Sequence, residues 1–199
     1  MIFLVTCIGA IALFYIQFKL YKAKQNQGIK QFIKSKELLE ILRESLLVIL
    51  SVTLALNLTG YIETKQTQEK VIKILDGISL EIEREASLSR GLKYDYETGH
   101  IDMEQLALSL SHNTAFSENM LTKDIVIAVM SPSMHSTISN NIHDINRVHE
   151  AIIAGQISDT RILTALEILE GICERTQEAI DKEKLYLQGK LSEEELKKY

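Results

Sequence analysis

The sequence predicts an all-α protein in which two N-terminal transmembrane helices are followed by a compact helical soluble domain. Three observations lead to this prediction. Two long apolar segments occupy residues 1–62, residues 63–199 show apolar side chains at helical spacing, and no stretch alternates as half-buried strands do. Pro132 is the only proline and tryptophan is absent. We therefore predict a two-helix anchor over residues 1–62 and a soluble helical domain over residues 63–199.

The first apolar segment spans residues 2–18, and Gln17 is its one strongly polar residue. At a rise of ~1.5 Å per residue, a helix of this length just crosses the hydrocarbon core of a bilayer. A secretory signal peptide carries positive charge before its apolar run, whereas Lys19, the first basic residue here, follows the run. The segment therefore predicts a transmembrane helix.

The second apolar segment spans residues 46–62 and carries polar and small residues at helical spacing. Thr53, Asn57 and Gly60 fall on one face of the predicted helix. Such a face usually marks a contact between membrane helices. We predict a contact with another helix here, and a pore lining in an oligomer is the alternative.

Charge is distributed unevenly along the chain. Residues 1–62 have a net charge of +4 and residues 63–199 a net charge of −9, which together give the formal −5. An acidic domain argues against binding of long nucleic acids, because these require many cationic contacts with phosphates. The lipid bilayer and further copies of the chain are the macromolecular partners that the sequence predicts.

The orientation signals conflict. The connection over residues 19–37 holds six lysines, and the positive-inside rule places such a connection in the cytoplasm and the soluble domain on the other side. Cys7 and Cys173 fall in different environments and form no disulfide framework, which favours a reducing compartment for the domain.

A narrow apolar seam lies at the start of the soluble domain. Its residues recur at i, i+4, i+7 and i+11, as in coiled coils, and they are Val71, Leu75, Ile78 and Ile82. No helix breaker separates the seam from the second apolar segment, so we predict a continuous helix over residues 36–89 that carries motion between membrane and domain. Packing of the seam against the rest of the domain is the alternative.

Capping signals and apolar stripes divide the remainder of the domain. Asp102 with Gln105 and Ser192 with Glu195 resemble capping boxes. The predicted elements begin with a loop over residues 91–99 and two helices over residues 103–112 and 117–130. A helix with an apolar stripe of Ile138, Ile142, Ile145 and Ile152 follows and stops at Gly155. The next helix starts at Ser158 or Asp159, ends near Gly189 and has a stripe of Ile162, Leu166, Leu169, Cys173 and Ile180, and a tail helix starts at Ser192.

Residues 109–149 are rich in polar side chains. They contain four of the five histidines and five asparagines, and Arg147 is the only arginine or lysine between Lys123 and Arg161. Asparagine can contact base edges, histidine can stack on a base, and arginine can hold a phosphate. The predicted ligand-binding residues are Asn140, His143, Arg147, His112 and Asn113. A polar surface with helix caps is the alternative.

The dipeptide His143-Asp144 invites comparison with all-α, metal-dependent phosphohydrolases. His112 and Asp181 occupy the places of the separate histidine and aspartate of such enzymes, but the dipeptide lies in a polar helix rather than at an apolar helix end. The histidines lack zinc-ligand spacing, and phosphate loops, nucleophile elbows and paired carboxylates are absent. We predict no catalytic residue, metal or cofactor, and an enzyme is the third hypothesis.

Two short membrane helices, the junction SLLVILSVTLALN at residues 45–57 and a helical domain of this size resemble small bacterial membrane proteins. Some of these are uncharacterised, and others are effectors of antiviral defence, including the type III CRISPR membrane effectors activated by cyclic tetra-adenylate. The resemblance implies a ligand-binding domain, oligomerisation and disturbance of the bacterial inner membrane. It also implies a cytoplasmic domain, which departs from the charge rule.

The leading hypothesis is therefore a membrane-bound sensor-effector. Its soluble domain binds a small anionic ligand such as a cyclic oligonucleotide, and binding resets the membrane helices. The second hypothesis is a non-catalytic, membrane-anchored interaction or scaffold protein, in which the seam binds a partner and the polar region is only surface.

Overall fold

The computed structural model describes residues 15, 16, 18, 19, 21, 22, 36–110 and 114–196. All the regular secondary structure in these residues is helical, which confirms the predicted all-α class. The helices are α1 (Lys36–Glu97), α2 (Met103–Ser109), α3 (Ala115–Leu121), α4 (Asp124–Val129), α5 (Pro132–Ile153), α6 (Ile162–Leu187) and α7 (Glu193–Leu196), with a 3-10 turn (Asp159–Arg161) before α6.

The chain divides into two compact units, Met1–Thr64 and Lys65–Tyr199. Within the described residues, α1 is the one helix long and apolar enough to cross a membrane. Most of its large apolar side chains in the first unit are exposed, as expected where lipid rather than protein covers them. These side chains are Leu46, Leu47, Val48, Ile49, Leu50, Leu54, Leu58, Tyr61 and Ile62. The other predicted span, residues 2–18, lies almost entirely outside the described residues.

Three apolar stripes form the core of the second unit. The seam of α1 is at most 1 % exposed at each of its four positions, and it joins the predicted stripes of α5 and α6 in one buried cluster. Burying a leucine or isoleucine side chain contributes about 1.5–3 kcal/mol, so these stripes contribute substantially to the stability of the unit. The seam therefore packs within the unit, which is the second of the two interpretations of its spacing.

Polar contacts set α1 against α6 in antiparallel order. As the numbers rise along α1, those of the partners on α6 fall. The contacts are Asp76 with Lys184 at 2.8 Å, Ser79 with Gln177 at 2.6 Å, Arg90 with Glu170 at 3.3 Å and Lys93 with Glu167 at 2.7 Å. Exposed ion pairs are worth only ~0–1 kcal/mol each, so they fix the register of the two helices more than they stabilise them.

The predicted loop over residues 91–99 is wrong for residues 91–97, which continue α1. Leu92 is buried and Tyr96 packs against the core. The local glycine and tyrosine content favoured a loop, but tertiary burial of this last turn outweighs it. α2 is also shorter than predicted, because it ends at Ser109.

The predicted single helix over residues 117–130 is wrong as well, because α3 and α4 are separate helices. Lys123 adopts an extended conformation between them, with φ −70° and ψ 134°. α4 ends at Val129, shortly before Pro132, and Pro132 begins α5 within its first turn, where its missing N–H costs nothing. Ser131 caps that turn by accepting a hydrogen bond from the N–H of Met134.

The predicted cap of α6 at Ser158 or Asp159 is wrong, because a 3-10 turn (Asp159–Arg161) comes first and α6 begins at Ile162 without a side-chain cap. Local signals predicted several other helix ends correctly. Gly155 and Gly189 follow α5 and α6 with φ of +65° and +71°, a conformation that side chains with a Cβ rarely adopt. The capping box of Asp102 and Gln105 is present at α2. Ser192 caps α7 through reciprocal hydrogen bonds with Glu195.

Candidate ligand groove between α5 and α6

A groove of about 810 Å³ lies between α5 and α6. Its apolar lining combines three alanines, Ala151, Ala154 and Ala165, with larger side chains that include Ile157 and Ile168. Ala151 lies on α5, Ala165 lies on α6 and Ala154 follows the end of α5. The volume lies within the ~300–1,000 Å³ typical of small-molecule sites.

Two arginines reach the groove from different helices. Arg147 comes from α5 and Arg175 from α6. The Nη1 atom of Arg147 lies 3.5 Å from Oδ1 of Asp144, and this pair is largely exposed to solvent. Arg175 has no carboxylate within ion-pair distance among the described residues. A ligand anion therefore competes with one weak surface ion pair and otherwise meets an unpaired guanidinium group.

The remaining polar lining is acidic or neutral. Asp144, Glu150 and Gln156 line the groove together with the two arginines. Guanidinium groups bind phosphates and carboxylates through paired N–H donors, while carboxylate and amide oxygens accept N–H donors. With two cations and two anions, this lining suits a ligand that combines an anionic group with N–H donors and an apolar or aromatic body.

The structure brings one of the five predicted ligand-binding residues to this groove. Arg147 is part of the lining. Asn140 and His143 are exposed on α5 outside the lining, and the Nδ2 atom of Asn140 lies 3.5 Å from Oγ of Ser136. His112 and Asn113 lie outside the described residues.

Several polar side chains of residues 109–149 connect helices instead of facing a ligand. The Thr114 hydroxyl donates to Oδ1 of Asn146 at 2.8 Å. His135 Nε2 lies 2.9 Å from the carbonyl oxygen of Leu121. His149 is buried within the unit. This part of the polar composition fits the alternative interpretation, in which it serves the fold.

A buried carboxylate positions the start of α5. Glu183 of α6 is fully buried and accepts hydrogen bonds from the backbone N–H of Ser131 at 2.8 Å and from its hydroxyl at 3.0 Å. Burial raises the pKa of Glu183, and the two hydrogen bonds from Ser131 offset part of that rise. The raised pKa means that the folded chain binds this proton more tightly than the unfolded chain does.

We expect a pH-dependent effect of Glu183→Gln. The free energy of unfolding of the parent should fall as pH rises from the ordinary glutamate value towards the raised folded value, because the buried group must ionise. Glutamine does not ionise, so the variant should gain stability relative to the parent across that interval. Urea unfolding at several pH values measures the difference.

Two further variants control this prediction. Glu174→Gln changes an exposed glutamate of the same helix and keeps Glu183. Its free energy of unfolding should therefore differ from that of the parent by the same amount at every pH. Glu183→Leu should lose about 1–3 kcal/mol at every pH, because it leaves the buried N–H of Ser131 unpaired. An identical pH dependence of the parent and Glu183→Gln would contradict the assignment.

No other described helix covers the predicted contact face of Thr53, Asn57 and Gly60 on α1. The Thr53 hydroxyl donates to the carbonyl oxygen of Ile49 at 2.8 Å, so the helix itself satisfies it. The exposed Asn57 amide has no hydrogen-bond partner among the described residues. A Cβ at Gly60 would meet no atom within 4 Å. An unpaired amide in a lipid environment is costly, which favours a partner helix at this face.

Replacing Asn57 with leucine should weaken self-association. Interhelical hydrogen bonds in membranes are worth about 0.6–2 kcal/mol, so the dissociation constant should rise roughly three- to thirtyfold. Energy transfer between labelled chains in vesicles measures it. Leu58→Ile changes the neighbouring exposed position and should have little effect, while equal effects of both variants would exclude this face as the contact.

The described residues contain no group of three or more His, Cys, Asp or Glu side chains arranged to hold a metal ion. Of the residues considered for a metal site, His143 is exposed, and Oδ1 of Asp181 lies 3.7 Å from Nζ of Lys184. No family model, curated protein or solved structure matches this chain.

Proposed function

We propose that this chain is a membrane-bound sensor-effector whose α5–α6 groove binds a small anionic ligand of the cyclic oligonucleotide class. The observation that carries the proposal is the pair of arginines, Arg147 and Arg175, which two different helices bring to one groove with an apolar lining. Guanidinium groups are the preferred protein partners of phosphates, and apolar side chains accommodate the bases.

Each part of such a ligand has a counterpart in the groove. The phosphates pair with the arginines, and the exocyclic amino groups of the bases donate to Asp144, Glu150 or Gln156. The bases pack on the apolar lining around Ile157 and Ile168. The role assigned to the groove is binding, not catalysis.

The ligand acts on the membrane through α1. The polar contacts of Asp76 with Lys184 and of Ser79 with Gln177 tie α1 to α6, and α1 also contains the candidate membrane span. A ligand that prefers one arrangement of α5 and α6 shifts the chain towards it by the difference in its affinity for the two states. In an oligomer held by Thr53, Asn57 and Gly60, that shift disturbs the bacterial inner membrane in antiviral defence, with the second unit in the cytoplasm.

A membrane-anchored interaction or scaffold protein is the second candidate function. Ile153 and Ile168 are about half exposed near the groove, and Arg147 already has Asp144 as a partner. The seam cannot bind the partner as predicted, because it is buried within the second unit. A protein segment occupies the groove instead, and nucleotides do not bind.

A thermal-shift experiment on the full chain in detergent separates the two functions. The panel contains cyclic di-, tri- and tetra-adenylate, cyclic di-guanylate and AMP, each against buffer alone. A ligand present at 100 times its dissociation constant stabilises the folded state by about 2.7 kcal/mol, so a true ligand should raise the melting temperature clearly. No shift with any member would favour the scaffold function.

A further inference from the structure

A buried glutamate–histidine pair joins α1 to α5. Glu85 and His149 are only 7 % and 3 % exposed, and His149 Nε2 lies 2.8 Å from Oε1 of Glu85. The contact nevertheless does not form a hydrogen bond, because Oε1 of Glu85 and both ring nitrogens of His149 have no hydrogen-bond partner among the described residues. The two groups are therefore close together but misaligned.

Core packing does not require this pair. Glu85 follows Ile82 on the seam of α1, and His149 lies on the α5 stripe between Ile145 and Ile152. Apolar side chains fill the neighbouring stripe positions, and buried polar groups without a hydrogen bond cost free energy. Burial, aided by the Glu85 carboxylate, raises the pKa of Cys173 on α6 to about 12, so α6 presents a neutral thiol near Glu85.

The pair and the groove lie on opposite faces of the same turn of α5. Val148 and Glu150, the neighbours of His149 in the chain, both line the groove. A shift of this turn of α5 on occupation of the groove must therefore move the His149 ring relative to Glu85.

We propose that the Glu85–His149 pair is the contact through which α5 reports occupation of the groove to α1, with an aligned and a misaligned state. This inference rests on the proposed function, since it assumes that the groove has a ligand. Interior contacts with two discrete arrangements are the elements that convert small shifts into a change of state. Glu85 lies on the helix that contains the candidate membrane span, so a change in the Glu85–His149 contact acts on α1 without an intermediate element.

The test uses hydrogen exchange of the α1 amides over residues 82–89 in the full chain in lipid nanodiscs. The groove is filled in two ways: by Ala151→Trp, which needs no ligand, and by cyclic tetra-adenylate as the probe. In the parent, filling should change the exchange rates of these amides by at least ~fivefold. Glu85→Gln or His149→Gln should reduce that change to less than ~twofold, while Glu83→Gln, an exposed neighbour on α1, should retain it.

The outcomes separate this inference from the proposed function. An undiminished α1 response to Ala151→Trp in Glu85→Gln overturns the inference, whatever the probe does. Failure of the probe to bind the parent, with a pair-dependent response to Ala151→Trp, overturns the proposed ligand class and leaves the coupling intact. If the single variants unfold, the double variant Glu85→Leu/His149→Leu replaces both polar partners by packed apolar groups, and it should fold and lose the response.

Discussion

Replacing Arg147 and Arg175 together with alanine should lower the affinity of the chain for a cyclic oligonucleotide by about a hundredfold. Removal of one guanidinium–phosphate contact is expected to cost at least ~1.4 kcal/mol, which is tenfold in affinity. The two arginines lie on different helices and have no ion-pair partner in common among the described residues, so their effects should approximately add. Titration calorimetry on the full chain in detergent measures the affinities.

Matched variants locate the site. Arg84→Ala removes an exposed arginine of α1 outside the groove lining and should leave the affinity unchanged. Arg175→Lys retains the charge but not the paired N–H donors, so its affinity should fall between those of the parent and Arg175→Ala. If the arginine variants bind normally while Asn140→Ala and His143→Ala do not, the site is the exposed face of α5 and not the groove.

Sequence patterns predicted the helices well where the signal is local. Capping pairs such as Asp102 with Gln105 and the apolar stripes of α1, α5 and α6 depend on residues within a few turns. The errors at residues 91–97 and 117–130 have a different origin. Burial of Leu92 and the extended backbone at Lys123 depend on how distant helices pack, which local composition does not encode.

The groove could be predicted only in part. Arg147 stood out as the one arginine or lysine in a polar stretch, but Arg175 lies on the next helix, in an ordinary charged pattern, and only the packing of α5 on α6 brings it to the groove. The buried pair did leave a signal in the sequence. Glu85 and His149 occupy positions that continue two apolar stripes, and an ionisable residue in such a position indicates a buried polar contact.

An engineered cysteine after Tyr199 should remain unlabelled by a membrane-impermeant maleimide in intact cells and react once the cells are permeabilised. The proposed function requires this result, because a cytoplasmic ligand must reach the groove. The six lysines of residues 19–37 favour the opposite side by the positive-inside rule, so the experiment decides between two physical arguments.

The background of this experiment is low. Cys173 is 1 % exposed and burial raises its pKa to about 12, so almost none of it is the reactive thiolate at neutral pH. With Cys7 replaced by serine, the maleimide should label only the engineered cysteine. A cysteine placed within residues 19–37 serves as the internal control, since that connection and the C-terminus lie on opposite sides of the membrane when a single span separates them. Efficient labelling of the C-terminal cysteine in intact cells would exclude a cytoplasmic ligand and favour the membrane-anchored scaffold.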